Sequence, residues 1–553
     1  MKRPYLWITL AVLAVYGQVL FFNYTYLDDY TLIVQNSEPF AHPGNLLHVF
    51  TRDFIAPVSG GEYYRPLLVA SLIFNGIIAG QAPFFYHLTD VLIHLGVALL
   101  LYKFLFRVTG LESSALFGSL AFAVHPLLLQ TVAWIPARND SLAALFILWY
   151  VLALDQALKN PSEKKPYGLA ALAMALALAS KEIAIIIPLI SGCYVWLVSK
   201  EDGKYKTLRR FIPIWIVLLG VWLAGRSVAL AEASIINLQT IFSSVYFSFP
   251  AVISYLGKML FPFDLSTYPT VSDLRLTFGL IALAVLGFVV LLSKQKRSRV
   301  AGFGAIWFLS FLVLSLVRVN LQPFAEILEH RAYLPFIGVL ILVLELDWFK
   351  TDWLKSTYRL VFGFAVLAVL ALGNLTHAAS FRNGLAYWQQ AARTSPGSPF
   401  AHRQLGAMRH KAGDIAGAEA EYKTVIAINP EGTDVYNNLG LLYYEVHRYN
   451  EAEMLFRKEI SVNPNFDKAY MNLGNLYWDT SRKVAAEAAW KKTVALNPYF
   501  FQAYRNLAIY YYEKDQYAAG LEILREIVKR GGQADADILE AYKPYMTPEQ
   551  LGK

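Results

Sequence analysis

Residues 21–30 read FFNYTYLDDY and follow directly after the first long apolar run of the chain. The adjacent carboxylates Asp28 and Asp29 would cost several kcal/mol in hydrocarbon, whereas they cost nothing in water. We therefore expect the first apolar helix to cross a membrane and the chain to leave it before Asp28. Acidic residues also commonly do no more than end a transmembrane span, so the pair by itself does not define a site.

The composition of the whole chain agrees with a membrane protein. Of its 553 residues, 56% are hydrophobic and 16% are charged, whereas soluble domains are about 45–50% apolar and about 25% charged. The net charge of +8 is explained by basic cytoplasmic loops, because no basic patch with interleaved aromatic residues suggests binding to nucleic acid. The single cysteine, Cys193, leaves no partner for a disulfide or a thiolate metal site. Met1-Lys2-Arg3 resembles the start of a signal peptide, but no small-residue cleavage site follows before Asp28, which favours an uncleaved first helix.

Apolar segments of spanning length recur through the first two thirds of the chain. Each should be helical, because hydrocarbon satisfies no backbone polar groups. We predict about eleven transmembrane helices, at residues 6–23, 86–106, 113–131, 140–156, 167–180, 183–199, 211–227, 276–293, 300–318, 332–347 and 358–377.

The basic residues predict the orientation. With the N-terminus inside, the densest basic clusters all fall in cytoplasmic connections. These clusters are Lys2/Arg3, Lys103/Arg107, Lys159/Lys164/Lys165, Lys200–Arg210, Lys294–Arg299 and Lys350/Lys355. The assignment requires residues 228–275 to stay on the outer side as a long loop, with the amphipathic stretch 241–260 along the membrane interface. An odd number of crossings then places both Asp28 and the C-terminal region outside the cytoplasm.

After residue 377 the composition becomes polar and periodic. Asn-Pro recurs at 429, 463 and 497, a spacing of 34 residues, and Leu-Gly recurs at 405, 439 and 473 with the same spacing. A 34-residue period with Leu-Gly, Ala-x-x-x-aromatic and a terminal Pro is the tetratricopeptide signature. We predict about four repeats and a capping helix after Gly531. Trp388 and Pro396 lie one period earlier, which predicts a lone second helix of a partial repeat at about 380–394.

The fold class that follows is all-α. We predict a polytopic membrane helical bundle at residues 1–378 and an extracytoplasmic tetratricopeptide-repeat α-solenoid with its capping helix at residues 379–553.

Polar residues gather at the predicted outer helix ends. Each alone has an ordinary explanation as an interfacial anchor, a helix terminator or a solvated turn. Together they combine carboxylates with several cations at about the depth of lipid headgroups, which suits a lipid-linked phosphate leaving group with a base nearby. The set comprises Asp28, Asp29, Glu62, Arg65, His125, Arg138, Asp140, Lys181, Glu182, Glu329, His330 and Arg331.

The chain resembles a known family in this region. Asp28-Asp29 after the first helix resembles the acidic pair of the GT-C superfamily of polyprenyl-phosphate-sugar glycosyltransferases. An ordered set of motifs follows, namely YYRPL at 63–67, HLTDVLIH at 87–94, AVHP at 123–126, VAWIPARND at 132–140, Lys181-Glu182 and HRAYLP at 330–335. This set is similar to that of the transmembrane and tetratricopeptide-repeat-containing O-mannosyltransferases, which also carry repeats after the last membrane helix. The chain departs from the family pattern at Gln130, where an acidic residue is expected, at Ala137, where Gly is expected, and in its short array.

The resemblance implies a single inverting displacement that moves a sugar, mannose in the named family, from a polyprenyl phosphate to an acceptor hydroxyl. Asp28 would be the general base, and Asp29 would orient the acceptor or share that role. Arg331 would neutralise the departing phosphate, with Arg138, Lys181 and Arg65 as further candidates. The remaining residues would contact the sugar or the acceptor or support those that do, namely His125, Asp140, Glu182, His330, Glu329 and Glu62. Paired acids leave room for a divalent metal, but no His or Cys cluster requires one, and arginine can neutralise a lipid monophosphate without metal.

Two other functions remain open from the sequence. The chain could transfer sugar to a glycan or a lipid, or it could be a non-enzymatic membrane-anchored scaffold for envelope assembly. A pure anchor does not need eleven helices or ionisable residues gathered on one face.

The expected partners are the lipid-linked sugar, membrane lipid and an extended protein or peptide acceptor, and no nucleic acid is expected. The acceptor would lie in a repeat groove lined by Tyr436, Asn437, Tyr470, Asn472, Tyr504 and Asn506, although these tyrosines equally suit packing between repeat helices. The compact loops favour a bacterial inner membrane with the site and the repeats in the periplasm.

Overall fold

The computed structural model describes residues 3–35, 37–55, 63–230, 238–292, 298–317, 326–350 and 356–546. These residues form helices joined by turns, with an isolated β-bridge between Thr270 and Glu326. The predicted all-α class is therefore confirmed. The contacts divide the chain into two compact units, Met1–Pro396 and Gly397–Lys553, whereas the sequence analysis placed the boundary after residue 378.

The first unit contains seventeen α-helices among the described residues. They are α1 (Pro4–Tyr16), α2 (Ser37–Ala41), α3 (Pro66–Ala79), α4 (Pro83–Thr109), α5 (Glu112–Val124), α6 (Leu129–Ala133), α7 (Arg138–Lys159), α8 (Lys165–Ser180), α9 (Ile187–Leu197), α10 (Lys204–Arg209), α11 (Ile212–Ala229), α12 (Leu238–Leu260), α13 (Thr277–Leu292), α14 (Ser298–Leu316), α15 (Tyr333–Leu344), α16 (Thr357–Ala378) and α17 (Gly384–Thr394).

Every predicted span coincides with helical structure, and the protein is a multi-pass membrane protein. Six continuous helical segments in the described part of the chain are long and apolar enough to cross a membrane. A seventh candidate is the pair α5 and α6, which is bent by 51° next to His125-Pro126, because proline cannot continue the backbone ladder of the helix. The remaining predicted spans are shorter apolar helices, so the count of eleven stays a prediction. The six segments are Pro4–Phe21, Pro83–Thr109, Ile135–Lys159, Lys204–Ala229, Arg299–Leu316 and Thr357–Phe381.

Four of the described helices, α2, α3, α10 and α12, lie between the predicted spans. Helix α3 was not predicted, because its 14 residues are too few for a full crossing. It packs on α2 so closely that a Cβ added at Gly76 would lie 2.5 Å from the backbone oxygen of Phe40. Leu32, Ile33 and Leu72 are buried in the apolar cluster that results, so the segment after Asp28 has its own small core. The amphipathic stretch 241–260 lies within α12, and its position at the membrane interface stays a prediction.

The second unit is the predicted α-solenoid. Its four helix pairs and capping helix are α18 (Pro399–Lys411), α19 (Ile415–Ile428), α20 (Val435–Glu445), α21 (Tyr449–Val462), α22 (Asp467–Asp479), α23 (Lys483–Leu496), α24 (Phe501–Glu513), α25 (Tyr517–Lys529) and α26 (Ala536–Tyr542).

The 34-residue period has a direct packing explanation. In each of the first three repeats, the glycine of the first helix faces the aromatic ring of the second. A Cβ at Gly406 would lie 2.6 Å from the ring of Tyr422, and a Cβ at Gly440 would lie 2.8 Å from that of Phe456. Only glycine leaves space for the ring at this distance, because real Cβ contacts this short are essentially never seen. The repeat signature is therefore a pattern of paired small and large residues.

We expect Gly440→Ala to destabilise the repeat unit. In an open helix this change would stabilise by about 0.5–1 kcal/mol, but here the methyl group overlaps the Phe456 ring, and overpacking costs about 1–3 kcal/mol. Thermal unfolding followed by circular dichroism should show the loss. The control is Asn438→Ala on the same helix, where a partly exposed side chain is shortened without a clash. A Gly440→Ala protein at least as stable as wild type would contradict this packing.

Candidate active site

The loop that carries the acidic pair is built around the carboxylate of Asp29. This side chain is 1% exposed. Its Oδ2 accepts hydrogen bonds from Thr25 N at 2.7 Å and Thr25 Oγ1 at 3.0 Å, and its Oδ1 accepts from the backbone N–H groups of Tyr26 and Tyr30, both at 2.9 Å. Tyr26 takes a left-handed backbone with φ of 61°, which a non-glycine residue adopts only when its surroundings enforce it. Asp29 therefore shapes the loop, and its oxygens are already occupied.

Asp28 is in the opposite situation. Its side chain is partly exposed, and no hydrogen bond or ion pair engages its carboxylate among the residues that the structure describes. Burial, then the charges of Asp29 and Glu326, raise the pKa of Asp28 to about 7. A carboxylate with a pKa near neutrality and no protein partner has the properties of a general base.

Arg331 contacts an acidic residue whose charge also acts on Asp28. Its Nη2 is 3.5 Å from Oε1 of Glu326, the same Glu326 whose charge acts on Asp28. The Arg331 Nη1 is buried and has no hydrogen-bond partner in the described ranges. Glu326 is placed by the bridge to Thr270 and by a 2.7 Å hydrogen bond from Ile327 N to Pro269 O. Glu326 thus interacts with both Asp28 and Arg331, although about 300 residues separate these two along the chain.

The most deeply buried of the other predicted cations is Arg138. Its side chain has no exposed surface, and its Nε is 2.5 Å from Oδ1 of Asp90. Its remaining nitrogens donate to Ser71 Oγ at 3.0 Å, to Asn75 Oδ1 at 2.7 Å and to Tyr86 O at 2.9 Å. Each of its three nitrogens has a partner, so Arg138 links α3, α4 and α7 and is held as a structural cation.

Lys181 and Arg65 are also paired with carboxylates. Lys181 Nζ is 2.8 Å from both oxygens of Asp140, and Arg65 forms a two-bond contact with Glu182 at 2.6 and 3.1 Å. The ring of His330 lies 3.9 Å from Asp140 Oδ2. These five side chains form one ionic cluster, and its charges are largely balanced internally. Arg331 differs from these cations because its buried Nη1 has no hydrogen-bond partner in the described ranges.

Two predicted residues make hydrogen bonds that connect separate segments of the first unit. The His125 ring accepts from Leu127 N at 3.2 Å and lies 3.1 Å from Met259 O, so it joins the bent α5–α6 pair to α12. Glu329 is fully buried, and its Oε1 contacts Lys258 Nζ and Ser266 N, both at 2.8 Å. Burial would raise the pKa of Glu329, but Lys258 and His377 outweigh it and hold the pKa below its usual value. Glu62 lies outside the described residues.

Sequence reasoning missed two residues that organise the site. Glu326 carried no distinguishing signal. Gln130 did carry one, since it departs from the family pattern. Its Nε2 donates to Thr267 O at 2.9 Å, and its Oε1 accepts from His330 N at 3.0 Å. An acidic residue could accept from His330 but could not donate to Thr267, so the amide suits this buried position. No cluster of three or more His, Cys, Asp or Glu side chains that could hold a metal was found among the described residues.

Known protein families and individual proteins match parts of this chain. Models described as "TPR repeat" and "Tetratricopeptide repeat" match residues 406–446 and 433–466. Human protein O-mannosyl-transferase TMTC1 is 34% identical over 159 residues, which is 26% of this chain and 18% of that protein. Human TMTC3 is 28% identical over 223 residues (39% and 23%), and mouse TMTC2 is 37% identical over 109 residues (19% and 13%). The resemblance to the TMTC O-mannosyltransferases is therefore confirmed, while the matched part spans less than a quarter of each of these relatives.

Solved structures also match part of the chain. The crystal structure of MamA is 18% identical and covers 29% of this chain and 88% of its own, with a TM-score of 0.24. A structure from the functional characterisation of Pseudomonas aeruginosa pilF is 22% identical and covers 32% and 80%, with a TM-score of 0.28.

We expect Arg138→Gln to act on stability. Removing one partner of a buried ion pair leaves Asp90 without its counter-charge and costs about 3–5 kcal/mol. Thermal unfolding of the purified protein in detergent should therefore shift strongly downward. Arg331→Gln is the control, because its ion pair is longer and one guanidinium nitrogen has no partner among the described residues. Equal losses in the two variants would contradict the different roles assigned to these arginines.

Proposed function

We propose that the protein is a GT-C-type membrane glycosyltransferase that moves a sugar from a polyprenyl-phosphate donor to a hydroxyl of a protein acceptor. The observation that carries the proposal is that Asp28 and Arg331 both interact with Glu326 and that each keeps a polar group without a partner among the described residues. The O-mannosyltransferase relatives support mannose as the sugar and a Ser or Thr hydroxyl as the acceptor. The basic loops support a site on the extracytoplasmic side, and the compact loops support a bacterial inner membrane with the repeats in the periplasm.

Asp28 is the general base of the proposed reaction. Its carboxylate takes the proton of the acceptor hydroxyl while the hydroxyl oxygen attacks the anomeric carbon of the sugar. The bond between that carbon and the phosphate oxygen breaks, and the configuration at the carbon inverts because the attack comes from the opposite face. Asp29 keeps Asp28 in position through the loop geometry described above.

Arg331 binds the leaving group. The polyprenyl phosphate gains one negative charge as the bond breaks, and a guanidinium fixed at this point stabilises that charge more than it stabilises the donor. Its planar donors match two phosphate oxygens. His330, the residue before Arg331, belongs to the ionic cluster with Arg65, Asp140, Lys181 and Glu182, and this cluster supplies polar groups for the sugar hydroxyls.

The repeat unit is the proposed binding region for the acceptor. A cavity of about 210 Å³ is lined by side chains of three consecutive repeats, including Asn475, Trp478 and Asn506. The Asn506 Nδ2 donates to Asn475 Oδ1 at 2.9 Å, and Asn472 bonds Asn437 in the same way. Amides with remaining donors and acceptors suit the backbone of an extended peptide. The tyrosines of the predicted groove contribute less, since Tyr436 and Tyr470 donate to the carbonyls of Pro430 and Pro464.

We expect Asp28→Asn to abolish detectable sugar transfer. The amide cannot accept the proton, and losing a general base lowers the rate by about 10²–10⁴-fold. The assay incubates purified protein with labelled polyprenyl-phosphate sugars and a Ser/Thr-containing peptide, and measures label in peptide and in free sugar. The matched control is Glu38→Gln, an exposed carboxylate shortly after the same loop. Transfer by Asp28→Asn at the wild-type rate would eliminate the proposed base.

We also expect a pH dependence set by Asp28. The base works only as a carboxylate and its pKa is about 7, so kcat/KM should be low in acid and rise as the pH increases through about 7. The measurement is the initial rate of transfer across about pH 5–9, with unfolding monitored at each pH. A rate that stays constant through neutrality would show that another group limits the reaction.

A further inference from the structure

The segment before the repeats, residues 382–395, differs in its contacts from a repeat helix. Trp388 occupies the place that Tyr422, Phe456 and Trp490 hold in the repeats, where each ring faces a glycine of its own helix pair. Trp388 instead packs against Tyr268 of the first unit, with ring centroids 5.5 Å apart. Trp388 thus keeps its position in the 34-residue period, but it packs on a loop of the first unit instead of on a helix of its own repeat.

Helix α17 is bonded to that loop at several points. Tyr387 Oη donates to Thr267 O at 2.7 Å, and Thr267 Oγ1 donates back to Tyr387 O at 2.9 Å. The hydroxyls of Ser266 and Thr394 are 2.6 Å apart, and Ser395 Oγ donates to Tyr268 O at 3.0 Å. Tyr387 and Thr267 are both fully buried, so these bonds are protected from competition with water.

The loop that α17 bonds is connected in turn to residues that precede Arg331 in the sequence. Thr267 O also accepts from Gln130 Nε2, and Gln130 Oε1 accepts from His330 N, the residue next to Arg331. Two residues after Tyr268, Thr270 forms the bridge to Glu326. Residues 266–270 therefore lie between α17 on one side and residues 326–330 on the other.

At its start, the segment also contacts the chain that leads to the base. The backbone N–H of Asn23 donates to Arg382 O at 2.9 Å, five residues before Asp28. Burial first, and then the charges of Tyr268, Asp29 and Asp28, raise the pKa of Tyr387, as expected if its phenol faces the acidic loop. Residues 382–395 thus contact both halves of the candidate site.

We propose that residues 382–395 belong to the catalytic unit and that Tyr387 is a positioning residue, which fixes the loop of Asp28 relative to the segment of Arg331 through Thr267 and Gln130. This inference rests on the proposed function for its kinetic consequence, whereas its structural consequence can be measured independently. Tyr387 touches no reacting atom. It sets the distance between the base and the phosphate ligand, so its loss should lower the rate of the chemical step.

The test is Tyr387→Phe in the full-length protein, which removes the phenol oxygen and keeps the ring that packs on Phe381 and Trp388. We expect kcat for transfer, and for hydrolysis of the donor without acceptor, to fall about tenfold, with the KM values for donor and peptide within about twofold. Hydrogen exchange should be faster than in wild type at residues 22–30 and 266–270. Thr267→Val, which removes the return bond, should shift both readouts in the same direction. If Tyr387→Phe does not fold, Thr267→Val is the variant in which both readouts are measured.

Tyr422→Phe is the matched control, because this buried repeat tyrosine has no hydrogen bond from its phenol in the described ranges. It should behave as wild type in both measurements. A raised KM for the peptide with unchanged kcat and unchanged donor hydrolysis would assign α17 to acceptor binding and overturn the proposal. Unchanged exchange at residues 22–30 and 266–270 would also overturn it. If wild-type protein neither hydrolyses nor transfers from any polyprenyl-phosphate sugar, the proposed function fails, and the exchange measurement still decides whether α17 holds the two segments together.

Discussion

A charge buried inside a protein needs a partner, and this constraint organises the ionic contacts between the helices of the first unit. Arg138 with Asp90, Lys181 with Asp140 and Lys258 with Glu329 are all pairs with atoms 2.5–2.8 Å apart and little exposed surface. Desolvation of each ion is costly, and the contact with its partner compensates that cost only when the geometry is close. Because these pairs connect different helices, they fix the helix ends on which any chemistry at this surface would depend.

The same constraint separates structural from reactive groups. Asp29 accepts four hydrogen bonds and is buried, whereas its neighbour Asp28 is partly exposed and has no partner among the described residues. Each guanidinium nitrogen of Arg138 has a partner, whereas Nη1 of Arg331 has none among the described residues. An unpaired group in such surroundings is destabilising for the folded chain, and proteins commonly accept that cost where a ligand completes the pairing. The unengaged atoms of Asp28 and Arg331 are therefore better evidence for the site than the number of polar residues near it.

The short segment 266–270 connects the parts of the site. It has few apolar side chains, but its backbone and hydroxyl groups bond Tyr387, Gln130 and Glu329 at once. Buried backbone groups must be satisfied wherever they lie, and here the bonds that satisfy them link distant parts of the chain. A loop between helices thus connects distant parts of the chain that packed helices would otherwise connect.

The sequence by itself determined the elements of this protein. Apolar runs of spanning length predicted the membrane helices, because hydrocarbon leaves the backbone no other hydrogen-bond partner. The 34-residue period predicted the solenoid, in which each repeat glycine leaves space for one aromatic ring. The motifs also brought Asp28, Arg138 and Arg331 into one list of candidates. The tertiary structure alone decided which of them are already paired and which keep an atom without a partner among the described residues, since Asp90, Glu326 and Thr267 are ordinary residues in the sequence. It also placed α17, which carries the repeat period, in the first unit, because a periodic position specifies a packing surface but not the surface that will cover it.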